Sequence, residues 1–149
     1  MIPPVVVDTN VLVAGLMTAR ETAPSAVIVD AMVAGRLPVL LSIDLLTEYR
    51  SVLLRPAIVS RHGLSESQID TVLAEIVTQA MIEPAEVCPI DPPDPDDTHV
   101  WALLCARHDA LLVTGDIALI EGSRAVAGLR DRVLRPAEFV KLWQDAVAL

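Results

Sequence analysis

The sequence predicts an α/β fold, a three-layer α/β/α sandwich around a central, mostly parallel sheet of four to five strands. Three observations carry this. Short aliphatic runs, Val5-Val6-Val7 first among them, alternate along the chain with stretches of helical periodicity. The runs are apolar throughout and lack the polar alternation of a half-exposed strand, so helices should cover both faces of the sheet. The chain has 149 residues, of which 53% are apolar, enough for one domain over residues 1–149 with a well-filled core.

Val5-Val6-Val7 is the first strand, ending at Asp8, and a helical turn follows it. Residues 22–34 have a helical rhythm through Ala23, Ala26, Val27, Ala31 and Ala34, and Gly35 supplies the stop. Pro38-Val39-Leu40-Leu41 is a second strand, and Ser42 can cap the helix after it. That helix, residues 43–54, takes Ile43, Leu46, Val52 and Leu53 as its apolar set and ends at Arg55-Pro56. Ser65-Glu66-Ser67-Gln68 has the form of a capping box and opens a helix with Ile69, Val72, Leu73 and Ile76. Residues 84–95 are proline-rich and acidic and read as a loop. A helix over 97–108, a strand over 110–113, a short strand near Val133-Leu134 and a closing helix opened by Pro136 complete the chain.

Composition narrows the function. Twenty acids stand against eleven bases, for a net charge of −9, which argues against a module that holds nucleic acid by charge alone. A nuclease remains compatible if the acids bind metal or a local arginine surface holds the strand; Arg20, Arg50, Arg55 and Arg61 are candidates, although each read singly is an ordinary surface residue. No apolar run approaches the ~18–20 residues of a membrane span, and residues 1–8 lack the pattern of a signal peptide. Cys88 and Cys105 read as buried thiols rather than a disulfide or a metal pair, which suits a reducing cytoplasm.

In parallel sheets, function gathers beyond the carboxyl ends of the strands. The first strand ends in Asp8-Thr9-Asn10, and the strand at 110–113 ends in Thr114-Gly115-Asp116. Asp94-Pro95-Asp96-Asp97 opens the helix before that strand, where free N–H groups favour acids. Glu48 borders the apolar face of its helix, an unusual place for a glutamate. Taken singly, each acid is as well explained as a cap, a turn residue or a solvated surface group; together they repel unless a cation balances them. The first lysine of the chain is Lys141, so a divalent ion is the economical partner, and oxygen donors of this kind suit Mg²⁺ or Mn²⁺. Such ions activate water and stabilise an in-line displacement at phosphorus. His62, His99 and His108 do not have a ligand spacing; His99 could touch a phosphate but reads first as an exposed helix histidine. Trp101 and Trp143 read as core or interface residues rather than base-stacking platforms.

Val-Val-Val-Asp8-Thr9-Asn10-Val-Leu resembles the opening of the PIN-domain family of metal-dependent ribonucleases. Leu40-Leu41-Ser42-x-x-Leu45-Leu46-x-Glu48-Tyr49-x-x-Val52-Leu53 is similar to that family's second acidic element. Asp94-Pro95-Asp96-Asp97 and Leu112-Val113-Thr114-Gly115-Asp116 resemble its third and fourth, in the family's order, and Val133-Leu134-x-Pro136-x-Glu138-Phe139 fits its tail. The resemblance implies that Asp8, Glu48, Asp97 and Asp116 are catalytic, metal-binding carboxylates. It makes Asn10 and Thr114, with Thr9 and Ser42, residues that orient them, and Asp94 and Asp96 supporting or substitute ligands. It implies a Mg²⁺- or Mn²⁺-dependent endoribonuclease that leaves a 5′-phosphate. The subgroup most resembled contains the toxins of bacterial and archaeal toxin–antitoxin pairs (VapC-like), which implies a cytoplasmic location, an antitoxin protein as partner and a homodimer as an available assembly. The alternatives are a binding module, either PIN-like or receiver-like, and a phosphatase. A non-catalytic PIN-like module, binding metal, RNA or protein without turnover, needs none of the acids, yet all are present. A phospho-receiver would carry an acidic pair at the first strand and a lysine after the last, and a phospho-aspartyl phosphatase would carry a second Asp where Asn10 stands.

Overall fold

The computed structural model describes residues 2–84 and 88–148. In chain order the elements are β1 (Val5–Val7), α1 (Thr9–Met17), α2 (Pro24–Val33), β2 (Leu40–Leu41), α3 (Ile43–Leu53), α4 (Pro56–His62), α5 (Glu66–Gln79), β3 (Met81–Ile82), a single 3-10 turn (Pro95–Asp97), α6 (Thr98–Ala106), β4 (Leu111–Val113), α7 (Ile117–Arg124), β5 (Val133–Leu134) and α8 (Pro136–Val147).

The strands are short, and every pairing is parallel. β1, β4 and β5 form a three-stranded sheet in the order β1-β4-β5, while β2 and β3 form a second pair. A parallel bridge between Val5 and Val39, with the Val5 N–H donating to the Pro38 carbonyl at 2.9 Å, lays β2 beside β1. The strand order across the molecule is therefore β3-β2-β1-β4-β5, and the chain switches direction of travel between β1 and β4. All three valines of β1 are fully buried although successive side chains point to opposite faces, so both faces are covered, as expected. Tyr49, Trp101 and Phe139 are the largest fully buried side chains of a core made mostly of Val, Leu and Ile.

Local chemistry explains the boundaries. Ser42 accepts from the Leu45 N–H at 3.2 Å and starts α3; Ser65 and Gln68 form the reciprocal capping box of α5. Gly35, at a φ of +71°, closes α2 in the left-handed region that a side chain would strain.

Four expectations are corrected. α4 was not foreseen: Pro56 ends α3 but also opens a new helix at its first position, and Gly63 stops it. β3 is two residues long, too short for a hydrophobic period to register. The core stripe of α3 is Leu45, Tyr49 and Leu53, while Ile43 is 66% exposed, because burying Tyr49 sets the helix phase. Cys88 and Cys105 are joined in a disulfide, which overturns their reading as free thiols and removes the cysteine argument for a reducing compartment. Of the proline-rich loop expected over 84–95, residues 85–87 lie outside the described residues. Among the described residues no helix is long and apolar enough to cross a membrane.

Candidate metal centre

The site lies where the strand order reverses, at the carboxyl ends of β1 and β4, the place a ligand takes in open parallel sheets. Pairing Val7 with Val113 brings the residues that follow each strand together, although more than a hundred positions separate them. The Asp8 N–H donates to the Val113 carbonyl at 2.9 Å, extending the ladder one step into the site.

Asp8 is buried, 5% exposed, and its carboxylate is the hub. Oδ1 accepts from the Thr9 N–H at 2.8 Å and caps α1; Oδ2 accepts from the Thr114 hydroxyl at 2.7 Å and from the Asn10 amide at 3.1 Å. Asn10 reaches across the strand ends, its amide nitrogen 3.3 Å from the Thr114 hydroxyl oxygen and its carbonyl oxygen accepting from the Gly115 N–H at 2.9 Å. The Thr114 hydroxyl also accepts from the Asp116 N–H at 3.0 Å. Thus Asn10 and Thr114 stitch the two strand ends into one unit. Burial pushes the Asp8 carboxyl above its ordinary range against the pull of these donors.

Asp116 caps α7, accepting from the Ala118 N–H at 2.9 Å and the Leu119 N–H at 3.3 Å. Asp94 caps the 3-10 turn by accepting from the Asp96 N–H at 2.9 Å. Asp97 stands at the start of α6 with no side-chain cap bond of its own. Burial first, then the charges of Asp8, Asp116 and Asp94, push its carboxyl up to about 6. Those causes place Asp97 within the field of the other three acids. Asp96 is exposed and offers the cluster only its backbone N–H. The acidic loop is seated by contact with α7: a Cβ on Gly122 would stand 2.4 Å from Pro93 Cγ, so this approach needs a glycine.

Glu48 enters from α3. Its Oε2 accepts from the Thr9 hydroxyl and from His99 Nε2, the latter at 3.0 Å. The His99 bond is the main cause that holds the Glu48 carboxyl below its ordinary value, and the same bond raises the His99 imidazole above its own. One turn face over, the Tyr49 hydroxyl donates to the Val7 carbonyl and ties α3 to the end of β1; burial drives that phenol well upward.

Of the residues the sequence singles out, the structure brings Asp8, Asn10, Glu48, Asp97, Thr114 and Asp116 to one edge. Thr9, expected as an orienting or turn residue, links α1 to Glu48. Ser42 stays outside the network, its hydroxyl spent on capping α3. His99 was undervalued: it is only 16% exposed in its side chain and bonded inside the site. No spacing signal marks it, because its partner lies 51 positions away. Tyr49 entered the sequence reading as part of the second acidic element, and its role as a brace comes from the fold. Of the candidate phosphate-binding arginines, Arg50 is occupied by Glu66 at 2.7 Å and Asp70 at 2.8 Å.

A shared divalent ion was expected here. The donor set suits one, being hard carboxylate oxygens, and its charge is unrelieved: among the described residues no lysine or arginine forms an ion pair with Asp8, Asp97 or Asp116. Among those same residues, no three acidic, histidine or cysteine side chains stand close enough to chelate one ion. The reason is local: like charges repel, and Asp8, Asp116 and Glu48 each turn toward N–H or O–H donors at hand. The residues fit the ion in chemistry and charge, while their separations are those of carboxylates satisfied by hydrogen bonds.

A family model described as PIN domain matches residues 4–118, which spans every residue of the site. No curated protein matches the chain.

Proposed function

Since the chain belongs to the PIN-domain family, whose members are generally nucleases and typically bind divalent metals, we propose that it is an endoribonuclease dependent on Mg²⁺ or Mn²⁺. The observation that carries this reading is geometric: the parallel pairing of β1 with β4 brings Asp8 and Asp116 to one sheet edge, joined through Asn10 and Thr114, and burial with the charges of Asp8, Asp116 and Asp94 pushes the Asp97 carboxyl up beside them. Concentrated negative charge at a sheet's switch point is costly for a purely structural region and useful to one that must take up a cation.

Asp8, Asp97 and Asp116 are the proposed metal-holding groups, with Glu48 beside them and Asp94 in reserve. When bound, the ion supplies an activated water and charge stabilisation on the phosphoryl oxygens. Asp8 is fixed by Thr9, Asn10 and Thr114, so its carboxylate is oriented before any ligand arrives. Asn10 and Thr114 keep Asp116 beside Asp8 through the Gly115 and Asp116 N–H groups. Glu48, held below its ordinary value, is ionised at neutral pH and able to accept a proton or a metal contact. Arg55, whose charge is felt at Glu48, is the arginine available to steer an RNA phosphate toward this edge.

The test is cleavage of a short labelled RNA with purified chain in Mn²⁺ or Mg²⁺, with chelator as control. Metal-dependent cutting is expected; metal binding without cutting under any of these conditions would favour the second reading, a PIN-like module that binds without turnover.

Beyond the chemistry, we propose that residues 1–149 act as one domain in the cytoplasm, and that the protein is the toxin of a toxin–antitoxin pair able to form a homodimer. The sequence resemblance supports the toxin role. Growth arrest on expression, lost in Asp116→Asn and relieved by co-expressed antitoxin, is the expected outcome.

A further inference from the structure

We propose that His99 is a positioning residue that, together with Thr9, sets the Glu48 carboxylate in its working orientation; the inference rests on the metal-dependent reading above.

Glu48 projects from α3 with its side chain 33% exposed. A long, half-exposed glutamate samples several rotamers unless something holds it. Here two donors converge on one oxygen. The Thr9 hydroxyl comes from the first residue of α1, and His99 Nε2 comes from the first turn of α6, 3.0 Å away. The two donors belong to helices that start at different acids of the site, Asp8 and Asp97. The carboxylate is thus pinned between them, and among the described residues Oε1 accepts no hydrogen bond. Oε2 is the anchored oxygen and Oε1 the one turned over to a ligand.

The same geometry withdraws His99 from direct contact with substrate. Its Nε2 is spent on Glu48, and its ring is more buried than Glu48 itself. What the site needs from position 99 is an N–H at the place of Nε2, a need that a glutamine side chain can also meet. Partners of this kind orient metal ligands and are felt in metal affinity.

The experiment is calorimetric titration of Mn²⁺ into the parent chain, His99→Ala, His99→Gln, Glu48→Ala and the double variant His99→Ala/Glu48→Ala. Thermal unfolding without metal reports whether each is folded. His99→Ala should weaken Mn²⁺ binding about 10-fold, and His99→Gln should recover to within about threefold of the parent. In the Glu48→Ala background the alanine change at 99 should add nothing. Parental affinity in His99→Ala, a glutamine variant as weak as the alanine one, or the same loss without Glu48 would each overturn the proposal. Should His99→Ala unfold, His99→Gln decides alone, with parental affinity in favour and a tenfold loss against. A parent chain that neither binds Mn²⁺ nor cuts RNA removes the metal-dependent reading and this inference with it. A parent that does both, matched by His99→Ala, removes only this inference.

Discussion

α6 and β4 run side by side, and their two ends handle charge in opposite ways. At one end Asp97 starts α6, while Asp8 and Asp116 start α1 and α7 at the ends of β1 and β4. At the other, Arg132 closes the pair. Its Nη2 donates to the Leu104 and Arg107 carbonyls at 2.8 and 2.6 Å, its Nη1 to Gly128 at 2.9 Å and its Nε to Ala110 at 2.9 Å. Leu104, Arg107 and Ala110 offer carbonyls at the end of α6 and just before β4, Gly128 one from the segment between α7 and β5, and a cation there also meets the negative end of the α6 dipole. Burial lowers the Arg132 guanidinium from its ordinary value, yet the group remains a cation with four of its donors matched. At the acidic end the helix N–H groups satisfy single oxygens, but the net charge stays, and Asp97 shows it. One end is a finished structural joint; at the other, among the described residues, no lysine or arginine pairs with Asp8, Asp97 or Asp116.

The largest expected effect breaks the acidic end without touching the fold. Asp8→Asn should reduce RNA cleavage by about three orders of magnitude, a loss typical of a removed electrostatic group at a reacting centre. Asn caps a helix as well as Asp does, so the thermal midpoint should change little. Parental cleavage by this variant would remove Asp8 from the chemistry.

Arg132→Ala attacks the other end. It leaves several carbonyls without their donor and should cost about 2–3 kcal/mol in urea unfolding. Mn²⁺ affinity of the folded variant should stay at the parental level; a large drop would show that the two ends are coupled.

The pH response sharpens the contrast. The Asp97 carboxyl rises from 3.8 when free to about 6 in the fold, so the native chain binds more protons than the unfolded one across that window. Metal-free stability should therefore fall as pH rises from about 4 to 6. Buried Asp8 shifts in the same direction, whereas the lowered Glu48 stabilises above its free value of 4.5 and loses that contribution as pH falls. Thermal midpoints in chelator should show a shallower decline for Asp97→Asn than for the parent, and millimolar Mg²⁺ should flatten the parental decline by binding the native state. Equal slopes for the two chains would dismiss the crowded-acid account.

The smallest effect is expected at Asp96. Exposed, and contributing only a backbone N–H, it should tolerate Asp96→Asn with cleavage within about threefold of the parent, as for an ordinary surface position. A loss as deep as that of Asp97→Asn would exchange the roles of the two residues.

Much of this site was legible before any coordinates. Asp8 and Asp116 could be found because each follows an apolar run that can only be a buried strand, and strand ends in parallel sheets meet. Ser65 and Gly35 marked their boundaries because capping is chemistry between near neighbours. His99, Tyr49 and Arg132 were not legible in their roles. Their partners are Glu48, Val7 and the carbonyls of Leu104, Arg107, Gly128 and Ala110, at separations that no periodicity records. Gly122 carried no signal in the sequence; the reason for it is Pro93, which stands where a Cβ would be. The pairing of Cys88 with Cys105 likewise depends on where a loop returns to α6.

By itself the sequence determined the α/β class, the order of most elements and the acids that stand at strand and helix ends. These follow from hydrophobic period and short-range hydrogen bonding, which act within a few residues. Only the tertiary structure decided how those acids are held: Asp8 by Thr114, Glu48 by His99, Asp97 raised by its neighbours. Orientation and charge coupling depend on distances of a few ångströms between residues remote in the chain, and such distances exist only once the sheet has brought β1 and β4 together.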